Sequence, residues 1–289
     1  ETLMKKKKWM IAADAPHDAE VLQRELALPH LAARVLAARG LGSPEQAKAF
    51  LDSSNRCIHD PFLLSDMETA VIEIERAIAA EEKIAVYGDY DVDGVTATCI
   101  LIRYLRSRGV DCVYYIPDRL GEGYGLNTAA IGQLYEEGCR LLITVDSGIT
   151  AIEEAEFAAD LGLRLIITDH HECKEVLPRA YAIVNPRRLD SAYPFRELAG
   201  VGVAFKLICA LEAQRPVEEL LEEYGDIVAV GTIADVMPLV GENRCIVTQG
   251  LQLLAHTKNP GLRALVTTLG LDGKPVTSNT VSFVMAPRI

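Results

Sequence analysis

No apolar run in this chain approaches the roughly 20 residues that a bilayer-spanning helix needs, so no membrane partner is expected. The stretch nearest to a targeting signal, Lys5 to Lys8 followed by Trp9-Met10-Ile11-Ala12-Ala13, stops at Asp14, too early for a secretory signal. No Cys-x-x-Cys pair occurs, and the seven cysteines are widely spaced. That excludes a disulfide framework and a zinc knuckle, and it fits a reducing, cytoplasmic compartment. Positive charge is scarce: 29 Lys and Arg against 41 Asp and Glu leave a net charge of −12. Proteins that grip nucleic-acid phosphates usually carry a basic excess. The deficit loses force if the acids gather around a divalent cation.

What the chain does have is an acidic turn after a strand. Ile84-Ala85-Val86-Tyr87 reads as a buried strand ending at Gly88, and Asp89, Asp91 and Asp93 follow at alternate positions before Gly94. Three carboxylates this close repel one another in a low-dielectric cleft, which makes sense if a cation sits among them. An EF-hand reading fails, because Ile100 stands where the bidentate Glu belongs.

At 289 residues the chain is comfortable for two domains. Residues 1–65 read as a helical N-terminal leader, with Ser43-Pro44-Glu45 opening one of its helices. Residues 66–240 read as the domain that carries the site. From Lys83 strands and helices alternate, with strands at Ile84–Tyr87, Cys112–Ile116, Leu141–Val145, Leu165–Thr168 and Tyr181–Val184. This spacing predicts parallel strands with right-handed crossovers, hence a doubly wound, mostly parallel α/β fold. After Asn185-Pro186 the pattern turns helical, at Leu198–Ala213, Pro216–Glu223, Asp226–Ala234, Asn243–Ala255 and Pro260–Leu269. Residues 241–289 read as a helical connector ending in the start of a strand, Thr280–Ala286, that leads to a further core domain.

Parallel α/β sheets bind ligands beyond the C-terminal ends of their strands. Asp89, Asp91 and Asp93 follow the first strand, Asp146 follows Leu141–Val145, and Asp169-His170-His171 follows Leu165–Thr168. Asp235 ends Gly231-Thr232-Ile233-Ala234-Asp235. Carboxylates with imidazole and no thiolate suit Mn²⁺ or Mg²⁺, and this many ligands suits two ions about 3.5–4 Å apart, with metal-bound water as nucleophile. The second histidine would be an acid or would stabilise the leaving oxygen. Taken singly the signals are weaker. Asp146 alone reads more readily as a helix N-cap, Asp169-His170-His171 alone as a solvated turn, and Asp93 as a cap for a helix starting near Val95 or as a supporting group.

Together the motifs resemble the N-terminal half of the RecJ-type exonucleases in the DHH phosphoesterase superfamily. They are Tyr87-Gly88-Asp89-Tyr90-Asp91-Val92-Asp93-Gly94, Ile116-Pro117-Asp118-Arg119 with Glu122-Gly123-Tyr124-Gly125, and Val145-Asp146-Ser147-Gly148. Asp169-His170-His171, Leu198 to Phe205, Gly231 to Asp235 and Glu242-Asn243-Arg244 continue the pattern, which runs from about Trp9 to Ile289. The resemblance implies Mn²⁺- or Mg²⁺-dependent 5′→3′ hydrolysis of single-stranded DNA in repair and recombination. It assigns metal ligation to Asp89, Asp91, Asp146, His170 and Asp235, with His171 and a supporting Asp93 in the catalytic machinery. The partners expected are single-stranded DNA and a helicase or single-strand-binding protein, around a monomer. Ser147 stands where the family often has cysteine, and the family's His ahead of the first aspartates is missing, as in RecJ-type sequences. Arg119, Arg244 and Arg288 sit inside motifs, where a guanidinium fork suits phosphate as well as it suits a surface ion pair. Gly200 and Gly202 open a helix whose N–H groups would hold a phosphate or whose faces would pack closely. Tyr124 would stack on a base or pack in its loop.

Overall fold

The alternation along the strands decides the architecture. Lys83–Gly88 forms β1, with Ile84 and Val86 on one face and Ala85 and Tyr87 on the other, and both sets are buried. A strand apolar on both sides needs helices on both sides. The computed structural model describes residues 16–52, 58–119, 121–123 and 125–289. They fall into two compact units, 1–53 and 54–289.

The first unit holds α1 (Pro16–Leu26), α2 (His30–Ala38) and α3 (Pro44–Leu51). Ser43 caps α3 reciprocally with Gln46, and Pro44 takes the first helical position. Ala19, Leu22, Ala33, Leu36, Ala37 and Ala47 form its small core.

The second unit opens with α4 (Met67–Ala79) and then alternates: β1, α5 (Val92–Ser107), β2 (Cys112–Tyr115), α6 (Thr128–Glu136), β3 (Cys139–Val145), α7 (Ile152–Leu161), β4 (Arg164–Thr168) and β5 (Ala182–Val184). All neighbouring strands are parallel, in the order β2-β1-β3-β4-β5. Chain order reverses between β1 and β3, which opens a crevice at their C-terminal ends. Helices α6 and α7 pack on the Ala85–Tyr87 face. The opposite face is covered by α4 and α5, joined by α8 (Gly200–Leu211), α9 (Val217–Ala234), α10 (Gly241–Leu254) and α11 (Pro260–Thr268).

Two expectations fail. The helices expected at Pro216–Glu223 and Asp226–Ala234 are the single helix α9. Gly225 does not break it. It marks a close crossing with α10, since a Cβ on the facing Gly250 would lie 2.2 Å from the Gly225 carbonyl oxygen. The strand expected at Thr280–Ala286 is instead the helical turns Ser278–Thr280, Val281–Met285 and Ala286–Arg288. A reciprocal cap between Thr277 and Thr280 starts them, and Val281 and Met285, four apart, turn together into the core.

A buried ion pair ties α8 to α10. Lys206 Nζ lies 3.0 Å from Glu242 Oε1, and both side chains are fully buried. Glu242 also accepts from the Tyr193 hydroxyl and the His59 N–H, and Lys206 donates to the His59 carbonyl. Removing one partner strands the other charge in the core. We expect Lys206→Met to lower the unfolding free energy by about 3–5 kcal/mol in urea denaturation. A loss no larger than a surface substitution gives would contradict that role.

Candidate metal centre

The loop between β1 and α5 is drawn tight by Gly94, where a Cβ would lie 2.5 Å from the Asp89 carbonyl oxygen. Asp91 caps α5 by accepting the Gly94 N–H at 3.0 Å. Asp93, expected to cap or support, sits in the first turn and faces inward. Its Oδ2 accepts from the Gly200 N–H at 2.6 Å and its Oδ1 from the Val201 N–H at 2.8 Å. The N-terminus of α8 is thus held by a protein carboxylate, so the Gly200 N–H is not free for a substrate phosphate. Gly200 serves close packing: a Cβ there would lie 2.5 Å from the Asp146 Cβ. Gly202 would meet only Leu198, at 3.4 Å.

Asp146 ends β3 with φ +58°, in the left-handed region. It is not a helix cap, because α7 starts at Ile152 behind Ala151. Asp146 Oδ1 lies 3.1 Å from His170 Nε2, which is also 3.7 Å from Asp235 Oδ2 and 3.8 Å from Asp93 Oδ2. Asp235 arrives from the C-terminal end of α9. Three overlapping sets of donor atoms each fall within 4.8 Å of one another: Asp89, Asp91 and Asp146; Asp93, His170 and Asp235; and Asp146, His170 and His171. Among the described residues, Asp89 Oδ1, Asp146 Oδ1, Asp235 Oδ2 and His170 Nδ1 are buried without a hydrogen-bond partner. Buried carboxylate oxygens that meet without hydrogen bonds, faced by the Nε2 of His170, are the setting a divalent cation fits.

The titration of the cluster says the same. Burial pushes the Asp89 carboxyl up to about 6, with the Asp91 charge adding to the shift. Burial holds Asp93 and Asp146 well above the usual carboxylate range, and the neighbouring carboxylates raise both further. Asp235 is raised by burial too, tempered by His170 and by the Arg187 charge. A divalent ion reverses this balance by favouring every ionised form.

His171 faces the cluster from a braced position. Its Nδ1 lies 2.7 Å from Asp169 Oδ1, which also accepts the N–H groups of His170 and His171, while Oδ2 accepts from the Ile149 N–H. Burial works to raise the Asp169 carboxyl, but these bonds outweigh it and hold the carboxyl below its ordinary value. The same bond lifts His171 to about 9. Asn185 donates to the His171 carbonyl at 3.0 Å. The orienting role of Asp169 and the presence of Arg187 are not apparent in the sequence. The first is hidden inside its own motif, and the second follows Asn185-Pro186, which reads only as a turn.

Of the substrate-side candidates, Arg119 is exposed and lies 5.3 Å over the ring of Tyr90, between Asp89 and Asp91 in sequence. Arg244 is half-buried on α10. Arg288 donates to the Val284 carbonyl at 2.5 Å and lines a cavity with Val95, Cys99 and Ile227, not the donor cluster. Tyr124 lies outside the described residues.

A fold with this rim of carboxylates and histidines has relatives. Residues 83–232 match the DHH family, N-terminal domain, and the chain belongs to that family. Over 99% of its length it is 44% identical to the single-stranded-DNA-specific exonuclease RecJ of Bacillus subtilis (strain 168), of which it covers 36%. A crystal structure of exonuclease RecJ bound to manganese matches with a TM-score of 0.71 and 38% identity, over 78% of this chain and 57% of that one. RecJ in complex with Mn²⁺ from Thermus thermophilus matches with a TM-score of 0.79 and 32% identity, over 96% of this chain and 39% of that one. The chain therefore spans between 36% and 57% of the lengths of these relatives.

The geometry can be tested at two points. Gly200→Ala would press on Asp146, and we expect it to weaken Mn²⁺ binding by about 10–100-fold, measured by calorimetry, with the circular dichroism spectrum kept. The second point concerns pH in the metal-free protein. His171 rises from 6.5 unfolded to about 9 folded, so its stabilisation is fully present below pH 6.5 and is lost as pH rises through 9. The stability difference between wild type and His171→Gln should shrink across that window in EDTA. A difference that grows would contradict the assignment.

Proposed function

We propose that this chain carries the metal site of a nuclease that hydrolyses single-stranded DNA in the 5′→3′ direction, for repair and recombination, with two divalent ions, Mn²⁺ or Mg²⁺. The observation that carries the reading is two sets of donor atoms, each within 4.8 Å of one another, in which Asp89 Oδ1, Asp146 Oδ1 and Asp235 Oδ2 are buried without a hydrogen-bond partner. Asp89, Asp91 and Asp146 would hold one ion, and Asp93, His170 and Asp235 the other. Asp146 stands between them, 3.1 Å from His170. Asp93 thereby joins the expected ligands. Its carboxylate has lone pairs to spare beyond the two N–H groups of α8.

The bound ions supply Lewis acidity toward the phosphodiester and acidify the attacking water. The chain's residues do the rest. Asp169 fixes His171 through Nδ1, and His171 offers a ring nitrogen within 4.8 Å of donor atoms of Asp146 and His170. Its bond to the Asp169 carboxylate favours the protonated imidazole, which would suit the leaving oxygen. Tyr90 and Arg119 offer a ring and a guanidinium at the rim for the incoming strand. Substrate class rests on the similarity to RecJ proteins, whose names specify single-stranded DNA, and the 5′→3′ direction rests on the motif resemblance alone. In this reading the protein is a cytoplasmic monomer that meets strand ends with a helicase or single-strand-binding protein.

The test is release of nucleotides from a labelled 5′-phosphorylated single strand. EDTA should abolish the release and Mn²⁺ restore it. Asp146→Asn, chosen because Asn tolerates the left-handed backbone, should reduce it below detection while the fold is kept. Full activity in that variant would sink the site assignment. Faster turnover of a dinucleotide than of the long strand would shift the substrate to short oligonucleotides or cyclic dinucleotides.

A further inference from the structure

Two adjacent arginines follow Asn185-Pro186, and their settings differ. Arg188 is buried and consumed, bonded to Asp66 at 2.5 Å, to Asp190 at 2.6 Å and to the Ile183 carbonyl. Arg187 is held in place but not consumed. Its N–H donates to Asn185 Oδ1 at 2.8 Å, and the same Asn185 side chain, fully buried, holds the His171 carbonyl. One amide thus fixes the backbone of Arg187 relative to His171. The guanidinium reaches Glu172 Oε1 at 2.6 Å, Glu197 Oε2 at 3.2 Å and the Arg196 carbonyl at 3.4 Å. Glu172 adjoins His171 in sequence, and Glu197 shortly precedes the start of α8 at Gly200.

Both arginines pair with partly exposed carboxylates, Asp66 at 38% and Asp190 at 62% for Arg188, but Arg188 is itself only 9% exposed and Arg187 is the more open of the two. The Glu172 side chain is 81% exposed and Glu197 is 43% exposed, while Arg187 itself is 22% exposed. Ion pairs to solvated carboxylates are weak and screened by salt, whereas a phosphodiester offers two anionic oxygens at the spacing of the guanidinium fork.

We propose that Arg187 is a phosphate clamp for the single strand, kept in position by Glu172 and Glu197 and released to a backbone phosphate when the strand enters. The inference rests on the nuclease reading above. Asn185, which bonds both the Arg187 N–H and the His171 carbonyl, sets the arginine beside the loop that carries the histidines of the donor cluster. The clamp also gives an acidic protein a way to bind DNA with few cations: the guarding carboxylates hold the arginine in its binding geometry and discourage anions that cannot displace both of them.

The test pairs equilibrium binding of a fluorescent, 5′-phosphorylated single strand in EDTA with Mn²⁺-dependent hydrolysis of the same strand. Arg187→Ala should weaken binding about tenfold or more and lower the slope of log K against log salt by about 0.7. KM should rise more than kcat falls. Arg187→Lys, which keeps the charge but not the fork, should recover only part of the affinity. Glu172→Gln and Glu197→Gln should tighten binding at low salt, and that gain should vanish in the Arg187→Ala background. If Arg187 only braced its loop, the glutamine variants would weaken binding as Arg187→Ala does, and that result would overturn the clamp. An unchanged affinity and salt slope in Arg187→Ala would overturn it as well. A wild type without Mn²⁺-dependent hydrolysis defeats the nuclease reading itself, whereas an active wild type with an indifferent Arg187→Ala defeats the clamp alone.

Discussion

Mutual repulsion among buried carboxylates is the constraint on which the rest of this fold depends. Asp89, Asp93 and Asp146 are nearly inaccessible to water, and Asp235 is partly so. None has a cationic partner matched to the summed charge. Such a group of acids costs stability unless protons or a cation neutralise it. The parallel sheet concentrates the problem in one place, because every crossover returns the chain so that each strand delivers its last residue to the same rim. The scaffold around that rim is correspondingly rigid. Two apolar faces, a doubly packed sheet and the Lys206–Glu242 pair hold the helices around it, α9 with Asp235 at its end among them.

The part of the site legible in the sequence is the part that topology dictates. Asp89, Asp146 and His170 follow recognisable strands, and any right-handed α/β winding brings such residues together. Asp235 follows a helix, so its arrival depends on tertiary packing, and only the motif pattern points to it. The role of Asp93 is hidden because its partners, the N–H groups of Gly200 and Val201, lie over a hundred residues away in the chain. Its neighbour Asp91 takes the local capping role instead. Arg187 escapes notice for a similar reason. What defines it is the side chain of Asn185 and two glutamates on either side of it in the chain, 15 and 10 residues away, none of which leaves a periodic trace.

The fold is legible to a similar depth. Strand positions follow from apolar runs bounded by glycine and acids. The continuous α9 reads as two helices because a glycine in a polar neighbourhood looks like a break, although here it admits a neighbouring helix. The final segment has the β-branched composition of a strand, and the Thr277 cap together with the spacing of Val281 and Met285 makes it helical.

The contact between Asp93 and α8 has a thermodynamic consequence. Burial and the neighbouring carboxylates raise the Asp93 carboxyl above its usual range, which works against the negative charge that a helix N-terminus favours. A cation bound at the proposed site would favour the carboxylate form and so strengthen the hold on α8 from inside. Cation binding and helix docking would then be linked, and the midpoint of thermal unfolding would depend on free divalent ion concentration. In that sense a bound ion would be a reagent of the site and also a fastener of the helix layer behind it.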